Sequence, residues 1–126
     1  MNWKLICKLD DIIPLGSRRV HRAQGVDVAL FRADDDHVFA LLDRCPHKGG
    51  PLSQGIVFGH HVACPLHNWT IQLNDGCAKA PDEGCTVSFK CKVEHERVYL
   101  DADELSTLAI GTPVAVAVTA KAKAAA

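Results

Sequence analysis

The sequence predicts an all-β fold, a small antiparallel sandwich or barrel. Two observations support this prediction: the chain contains many short runs rich in β-forming residues, and turn-forming residues separate these runs at close intervals. With 126 residues, 48% of them hydrophobic, the chain is long enough for one domain with a core of moderate size.

The first half of the chain predicts a strand, a turn and a hairpin. Residues 3–7 begin with a strand-like alternation, and residues 9–14 form a turn that leads away from it. Residues 26–31 and 37–42 are rich in β-formers and flank the polar turn 32–36. This arrangement is typical of a β-hairpin.

The second half continues in the same way, with alternation and turn residues as the guides. The predicted segments are a hairpin of residues 56–58 and 62–64 around Gly59-His60-His61, a strand 70–73 ending at the turn Asn74-Asp75-Gly76, a half-buried strand 87–93 and a closing strand 97–100.

The C-terminal part of the chain differs in composition from the rest. Residues 101–111 begin with acidic side chains and predict one short turn of helix. The tail, residues 112–126, is rich in Ala, Lys and Val, and we expect it to be mobile because alanine buries little surface to offset chain ordering. An alternative is that Val114, Val116 and Val118 add an edge strand or contact a partner subunit. The folded domain is therefore expected to span residues 1–111.

Charge and hydropathy exclude two classes of partner. The net charge is −1, so nucleic-acid binding has no electrostatic support. The apolar runs are far shorter than the ~20 residues needed to span a bilayer. Because the N-terminus also lacks the pattern of a signal peptide, we expect a cytoplasmic protein with no membrane attachment.

The most informative feature is a pair of mixed Cys and His segments. Cys45-Pro46-His47 is followed, after sixteen intervening residues, by Cys64-Pro65-Leu66-His67. Two Cys and two His form the ligand set of a Rieske [2Fe–2S] centre, in which His replaces Cys on one iron. Cys45 and Cys64 would then bind the inner iron, and His47 and His67 the outer one. The alternative is a Cys2His2 zinc site, but zinc fingers usually place a Cys pair before a His pair, whereas each loop here mixes the two.

The neighbours of these residues are consistent with a cluster site. Pro46 and Pro65 favour extended backbone at the preceding Cys. Gly49 and Gly50 can form a tight turn, because glycine adopts positive φ without steric cost. Such a turn can direct backbone N–H groups toward cluster sulfurs.

These segments resemble the two-loop signature of the Rieske family, here C-P-H-K-G-G-P-L-S-Q-G and C-P-L-H-N-W. Asn68-Trp69 and Pro81-Asp82-Glu83-Gly84-Cys85 also look like the small subunit of assimilatory NAD(P)H-dependent nitrite reductase. The resemblance covers residues 3–100. It implies a β-rich base with a cluster-binding subdomain inserted at about residues 43–71, and a [2Fe–2S] cluster held by Cys45, His47, Cys64 and His67.

The chain also departs from the respiratory branch of that family. Gly50 and Leu66 stand where respiratory Rieske proteins carry a disulfide between the two loops, so this bridge is not expected. Trp69 and Ile71 stand where those proteins use hydroxyl groups to hydrogen-bond the cluster. With fewer donors, we expect a reduction potential toward the low end of the Rieske range.

The resemblance implies a role in nitrate assimilation, as the electron-transfer or accessory small subunit of nitrite reductase. Its partner would be a large subunit that carries FAD, a [4Fe–4S] cluster and sirohaem and reduces nitrite to ammonium. No G-x-G-x-x-G motif is visible, and a cluster that passes single electrons cannot complete that reaction alone. One alternative is a free-standing Rieske ferredoxin that delivers electrons to an aromatic-ring dioxygenase. Another is a zinc-stabilised interaction domain.

The remaining Cys and His residues have simpler interpretations. We expect Cys7 and Cys91 to be buried core thiols. Cys77 and Cys85 lie in loop-like sequence, where we expect free thiols because disulfides are uncommon in cytoplasmic proteins; a disulfide between these two is the alternative. The acidic run 34–36 predicts a solvated turn. The other histidines are expected to be surface groups: His21, His37, His60, His61 and His95.

Overall fold

A computed structural model describes residues 2–22, 25–46, 49–66, 69–80 and 82–108. The described residues form short strands and a single α-helix, and the predicted all-β class is confirmed. The strands are β1 Trp3–Lys8, β2 Ser17–Val20, β3 Val28–Arg32, β4 Val38–Leu42, β5 Ile56–Phe58, β6 His61–Ala63, β7 Thr70–Gln72, β8 Ser88–Phe89, β9 Cys91–Glu94 and β10 Arg97–Asp101, and the helix is α1 Ala102–Thr107. The described residues also contain two 3₁₀ turns, Leu9–Asp11 and Leu52–Gln54.

The strands form three antiparallel sheets in the described part of the chain. The central sheet has the order β2-β3-β4-β8, the outer sheet β1-β10-β9, and the distal sheet β5-β6-β7. The distal sheet and the two loops around it contain the Cys-Pro segments.

The central sheet is covered on both faces because strand β3 alternates between two cores. Val28 and Leu30 pack in a first core, shared with Val98 and Leu100 of the outer sheet. The intervening Phe31 and Ala29 pack in a second core with the distal sheet. The second core also contains Cys45 and Cys64, together with Leu41, Leu52, Val57, Val62, Ile71 and Leu73.

The β3–β4 hairpin was predicted from the polar residues between its strands, and the structure has it. Asp36 adopts positive φ, and its carboxylate accepts hydrogen bonds from the Arg32 guanidinium at 2.8 and 3.0 Å. In the same turn, a hydrogen bond with His60 lowers the pKa of Asp35 to about 2. The predicted hairpin around Gly59 is also present, as β5 and β6.

Two features of the sheets differ from the predictions. Strand β2 was missed because Ser17-Arg18-Arg19-Val20 has no alternation of apolar and polar residues, yet it pairs with β3 at the edge of the central sheet. The predicted strand 87–93 is interrupted at Lys90, whose backbone N–H donates to Glu104 Oε1 at 2.6 Å. Phe89 pairs with Ala40 in the central sheet, whereas Cys91 pairs with Leu100 in the outer sheet.

The short helix predicted after residue 101 is present. Its N-cap is Asp101, whose carboxylate accepts a hydrogen bond from the backbone N–H of Asp103 at 2.9 Å. Leu105 packs in the first core. The predicted tail 112–126, including Val114, Val116 and Val118, lies outside the described residues. No helix in the described residues is long and apolar enough to cross a membrane.

Cys77 and Cys85 correct the expectation of free thiols, because the structure joins them by a disulfide. The two residues pair as an antiparallel bridge, and Ala78 N–H donates to Gly84 O at 2.8 Å. This pairing places the two cysteine side chains next to each other. No turn motif or alternation in this stretch predicts such a pairing.

Cys7 and Cys91 are the core thiols that the sequence predicted. Cys7 is buried in the first core, and Cys91 packs against that core. Burial raises the pKa of Cys7 above its ordinary value. Burial, with a smaller contribution from Cys7, raises the pKa of Cys91 to about 12.

Candidate metal centre

The first Cys-Pro segment lies in the loop between β4 and β5, which folds back tightly on itself. Cys45 N–H donates to Gly50 O at 2.8 Å, and Gly49 N–H donates to Cys45 O at 2.9 Å. Gly49 has a φ of +75°, a conformation that L-residues with side chains rarely adopt. The sequence predicted such a turn, and the structure confirms it for this glycine.

Cys64, Pro65 and Leu66 of the second segment follow β6 in the β6–β7 hairpin. Cys64 N–H donates to Trp69 O at 2.8 Å, so the loop closes immediately before β7 begins at Thr70. Trp69 packs against the second core and so anchors this end of the loop.

The two loops meet at Gly50. A β-carbon at this position would lie 3.3 Å from Cys64 Sγ and 2.8 Å from both Cγ and Cδ1 of Leu66. Because Gly50 also bonds to Cys45, the first loop presents its backbone directly to the second thiol. Gly50 and Leu66, the two positions at which the sequence predicts no disulfide between the loops, are thus close neighbours.

Both thiols are almost completely buried. Cys45 is 2% exposed and Cys64 is 1% exposed. The two thiols come from different loops and share one core. If both bound the same group, the side of that group facing the protein would be shielded from water by this core.

The first loop is anchored by Asp43, a residue that the sequence analysis did not single out. Its side chain is 2% exposed and accepts hydrogen bonds from Ser53 N and Ser53 Oγ, both at 2.7 Å, and from Arg19 Nε at 2.8 Å. Ser17 Oγ also donates to Ser53 O. These bonds tie both ends of the first loop to strand β2.

Arg44 supplies a positive charge next to Cys45. Its Nη1 would be 3.0 Å from a β-carbon at Gly49, so the guanidinium lies along the turn. Its Nε is buried and has no hydrogen-bond partner among the described residues.

The described donors fit a metal group held by sulfur. Two buried thiols from two loops pack in one core, and the backbone of Gly50 in the first loop approaches the Cys64 thiol of the second. His47 and His67, the predicted imidazole ligands, lie outside the described residues. The structure therefore places two of the four predicted ligands and brings their loops together.

Sequence reasoning found the Cys residues but missed Asp43, Arg19, Ser53 and Arg44. The anchoring contacts join residues as many as thirty-six positions apart, and no local spacing reports them. The only available signal was the position of Asp43 and Arg44 immediately before a predicted ligand.

The fold has three antiparallel sheets, and two buried thiols from neighbouring loops share its second core. This arrangement defines a small all-β protein with a metal-binding site. The chain belongs to the Rieske [2Fe-2S] domain family, whose profile matches residues 2–90. Its cofactor is accordingly a Rieske [2Fe–2S] cluster.

Relatives of similar length fall into two groups. The chain is 30% identical over 106 residues to Ferredoxin CarAc of Metapseudomonas resinovorans, covering 81% of this chain and 95% of the ferredoxin. It is 32% identical over 104 residues to the nitrite reductase (NADH) small subunit of Salmonella typhimurium, covering 78% of this chain and 95% of that subunit.

A solved structure and a longer relative complete the comparison. The putative NADH-dependent nitrite reductase small subunit of Mycobacterium tuberculosis superposes with a TM-score of 0.70 at 28% identity, covering 79% of this chain and 93% of that one. The chain is also 41% identical over 70 residues to 4beta-methylsterol monooxygenase of Methylococcus capsulatus, but spans only 18% of its length.

Proposed function

We propose that Cys45, His47, Cys64 and His67 hold the cluster, and that the chain is the Rieske electron-transfer or accessory small subunit of an NAD(P)H-dependent nitrite reductase. The observation that carries the first part is the meeting of two loops at Gly50, which brings the buried thiols of Cys45 and Cys64 into one core. The family match of residues 2–90 supports the cofactor.

The residues of this chain have distinct roles in the proposal. Cys45 and Cys64 supply thiolates from the protein side and exclude water there by their burial. Asp43 and Ser53 hold the first loop in position, and the Arg44 side chain packs along its turn at Gly49. A bound [2Fe–2S] cluster takes up and releases one electron at a time, which suits a carrier between other redox groups.

The proposed partner is a large nitrite reductase subunit with FAD, [4Fe–4S] and sirohaem. The similarity to the nitrite reductase small subunit, over 95% of that subunit's length, supports this partner. The run Pro81-Asp82-Glu83-Gly84-Cys85 supports it as well, because it resembles the corresponding run of those subunits. The setting we propose is cytoplasmic nitrate assimilation.

A second candidate is a ferredoxin that delivers electrons to an aromatic-ring dioxygenase. The 30% identity to Ferredoxin CarAc over 95% of its length favours it. A structure that pairs a reduced oxygenase with an oxidised ferredoxin, in carbazole 1,9a-dioxygenase, also superposes on this chain with a TM-score of 0.70 at 27% identity. The family match argues against the third alternative, a zinc-stabilised interaction domain.

The ligand assignment is tested on protein purified without oxygen. We expect red-brown protein that contains iron and, after reduction with dithionite, gives the paramagnetic resonance signal of a mixed nitrogen and sulfur diiron centre. Cys64→Ser and His67→Ala should lose or alter this signal, whereas Cys91→Ser should keep it. A colourless protein that contains zinc would contradict the assignment.

The partner is tested by reconstitution with each candidate. Co-expression with a sirohaem-containing large subunit should give a stable complex with NADH-dependent nitrite turnover. The ferredoxin alternative instead predicts turnover of an aromatic substrate with a reductase and a dioxygenase. Within an assembled nitrite reductase, full activity of the His67→Ala variant would show that the cluster supports assembly and does not lie on the electron route.

A further inference from the structure

A group of metal-binding side chains lies outside the cluster loops, where two hairpins approach each other. Asp35 lies in the β3–β4 turn, His37 precedes β4, and His60 lies in the β5–β6 turn. One ligand atom from each residue lies within 4.8 Å of the other two. The sequence analysis treated these residues as separate surface groups, because His60 is 25 positions from Asp35.

The three side chains already converge on a single oxygen atom. Asp35 Oδ2 lies 2.8 Å from His60 Nε2 and 2.9 Å from His37 Nδ1. The other carboxylate oxygen, Oδ1, accepts a hydrogen bond from the backbone N–H of His37 at 3.3 Å. The carboxylate is thus held by its own turn while Oδ2 faces both imidazoles.

The orientations of the imidazole rings are restrained by an aromatic neighbour. The Phe39 ring stacks on His37, with 6.3 Å between ring centroids, and lies 5.1 Å from the centroid of His60. The two imidazoles are themselves 5.4 Å apart in an edge-on arrangement. His60 is also fixed through its backbone, since its carbonyl accepts a hydrogen bond from Leu73 N–H at 2.9 Å.

We propose that Asp35, His37 and His60 form a surface site for a divalent transition-metal ion such as Zn²⁺. Two imidazoles and one carboxylate are a common protein donor set for zinc, with the fourth position left to water. In tetrahedral zinc sites with bonds of about 2.0–2.1 Å, neighbouring ligand atoms are about 3.3 Å apart. The two oxygen–nitrogen spacings of 2.8 and 2.9 Å would widen by a few tenths of an ångström, and the two imidazole nitrogens already lie within 4.8 Å of each other.

The site would link two parts of the fold. His37 leads into the central sheet, whereas His60 belongs to the hairpin of the distal sheet, which positions the second cluster loop. A metal ion bound by both would join these sheets at a point away from the cluster. Because such an ion binds the folded protein and not the unfolded chain, it should raise the melting temperature.

The test is calorimetric titration of Zn²⁺ into the full-length, cluster-loaded protein. In this form the other thiols compete weakly: Cys45 and Cys64 are proposed to be occupied, Cys77 and Cys85 form a disulfide, Cys7 is buried, and Cys91 packs against the first core. We expect one zinc ion per chain, released by a chelator while the visible spectrum of the cluster is retained.

Variants separate the proposed site from adventitious binding. His37→Gln, His60→Gln and Asp35→Asn should each weaken zinc binding at least about tenfold, since loss of even an outer partner of a metal ligand commonly costs that much. His21→Gln is the matched control: His21 Nδ1 also contacts a carboxylate, Asp27 Oδ2, at 2.9 Å, but it does not belong to the cluster of three. This variant should bind zinc like the wild type.

A second readout identifies the donor atoms. In ¹⁵N imidazole spectra of labelled protein, zinc should shift Nδ1 of His37 and Nε2 of His60, and it should leave both nitrogens of His21 unchanged. Equal zinc affinity of the wild type and the His60→Gln variant would overturn the proposal. Shifts that are absent at His37 and His60 while zinc binds would overturn it as well.

Discussion

Gly50 lies against Cys64, with space for no side chain between them: an added β-carbon would lie 3.3 Å from the thiol sulfur. The same β-carbon would lie 2.8 Å from two carbon atoms of Leu66. This approach of one loop's backbone to the other loop's thiol holds the proposed ligands together.

Gly50→Ala should therefore weaken the cluster site. The new methyl group must displace Leu66 and press on Cys64, which we expect to cost roughly 1–2 kcal/mol, as for other overpacked sites. The measurement is the apparent melting temperature of the visible chromophore together with the iron content. Gly50→Ala with Leu66→Ala should recover part of the loss, because Leu66 is the closer obstacle. A Gly50→Ala protein with wild-type stability and iron content would show that the contact has no such role.

Asp43→Asn should destabilise the first loop strongly. The amide replaces one acceptor oxygen by a donor in a buried position that faces three donors, so we expect a loss of about 2–3 kcal/mol in stability and faster loss of the cluster. Bleaching of the chromophore at fixed temperature measures this. The control is Asp27→Asn, which breaks the contact with the exposed His21 and should cost less than about 0.5 kcal/mol. Equal bleaching rates for the two variants would contradict the anchoring role of Asp43.

Cys91 should make the fold sensitive to alkaline pH. Its pKa is raised to about 12 in the folded state, above the ordinary value of 9.0, because burial disfavours the thiolate. The unfolded chain therefore ionises first, and the free energy of unfolding should fall as the pH rises from 9 toward 12. Urea midpoints measured over this range should fall less in Cys91→Ser, whose hydroxyl does not titrate there. Parallel pH profiles for the two proteins would refute this contribution.

The disulfide predicts a specific thiol count. After removal of iron and unfolding without reductant, we expect four titratable thiols, Cys7, Cys45, Cys64 and Cys91, and six after reduction. Alkylation followed by peptide mass analysis identifies them. In the folded protein, Cys7 and Cys91 should react slowly, because burial raises both pKa values. Six thiols before reduction would show that Cys77 and Cys85 are not joined.

The reduction potential should lie toward the low end of the roughly −150 to +300 mV range of Rieske centres. Trp69 and Ile71 carry no hydroxyl group that could donate a hydrogen bond, and Ile71 is fully buried in strand β7. Fewer donors leave the more negative, reduced cluster less stabilised. Protein-film voltammetry measures the midpoint, and a value well above zero would contradict the expectation.

The sequence predicted those parts of the fold that local chemistry determines. The acidic run around Asp35 sets the β3–β4 turn, and Gly49 supplies the positive φ that the first loop needs. Asp101 starts the helix because its carboxylate caps the first turn. Each of these depends on residues within a few positions of one another, which is the range that sequence patterns describe.

Features that depend on distant contacts were missed. Strand β2 is recognisable only through its pairing with β3, and Asp43 is an anchor only because the fold brings Arg19 to it. The convergence of His60 on Asp35 likewise requires two hairpins to be packed side by side. His47 and His67 remain predicted ligands, identified from their spacing and from the family resemblance.

The break at Lys90 has a consequence for protein engineering. Phe89 pairs in the central sheet and Cys91 in the outer sheet, with only Lys90 between them. Residues inserted here would therefore disturb the pairing of both strands. The His95-Glu96 turn, by contrast, joins neighbouring strands of one sheet at the surface. Epitope tags or fused domains are therefore better tolerated at the His95-Glu96 turn than at Lys90. An insertion at Lys90 would separate the central sheet from the outer sheet.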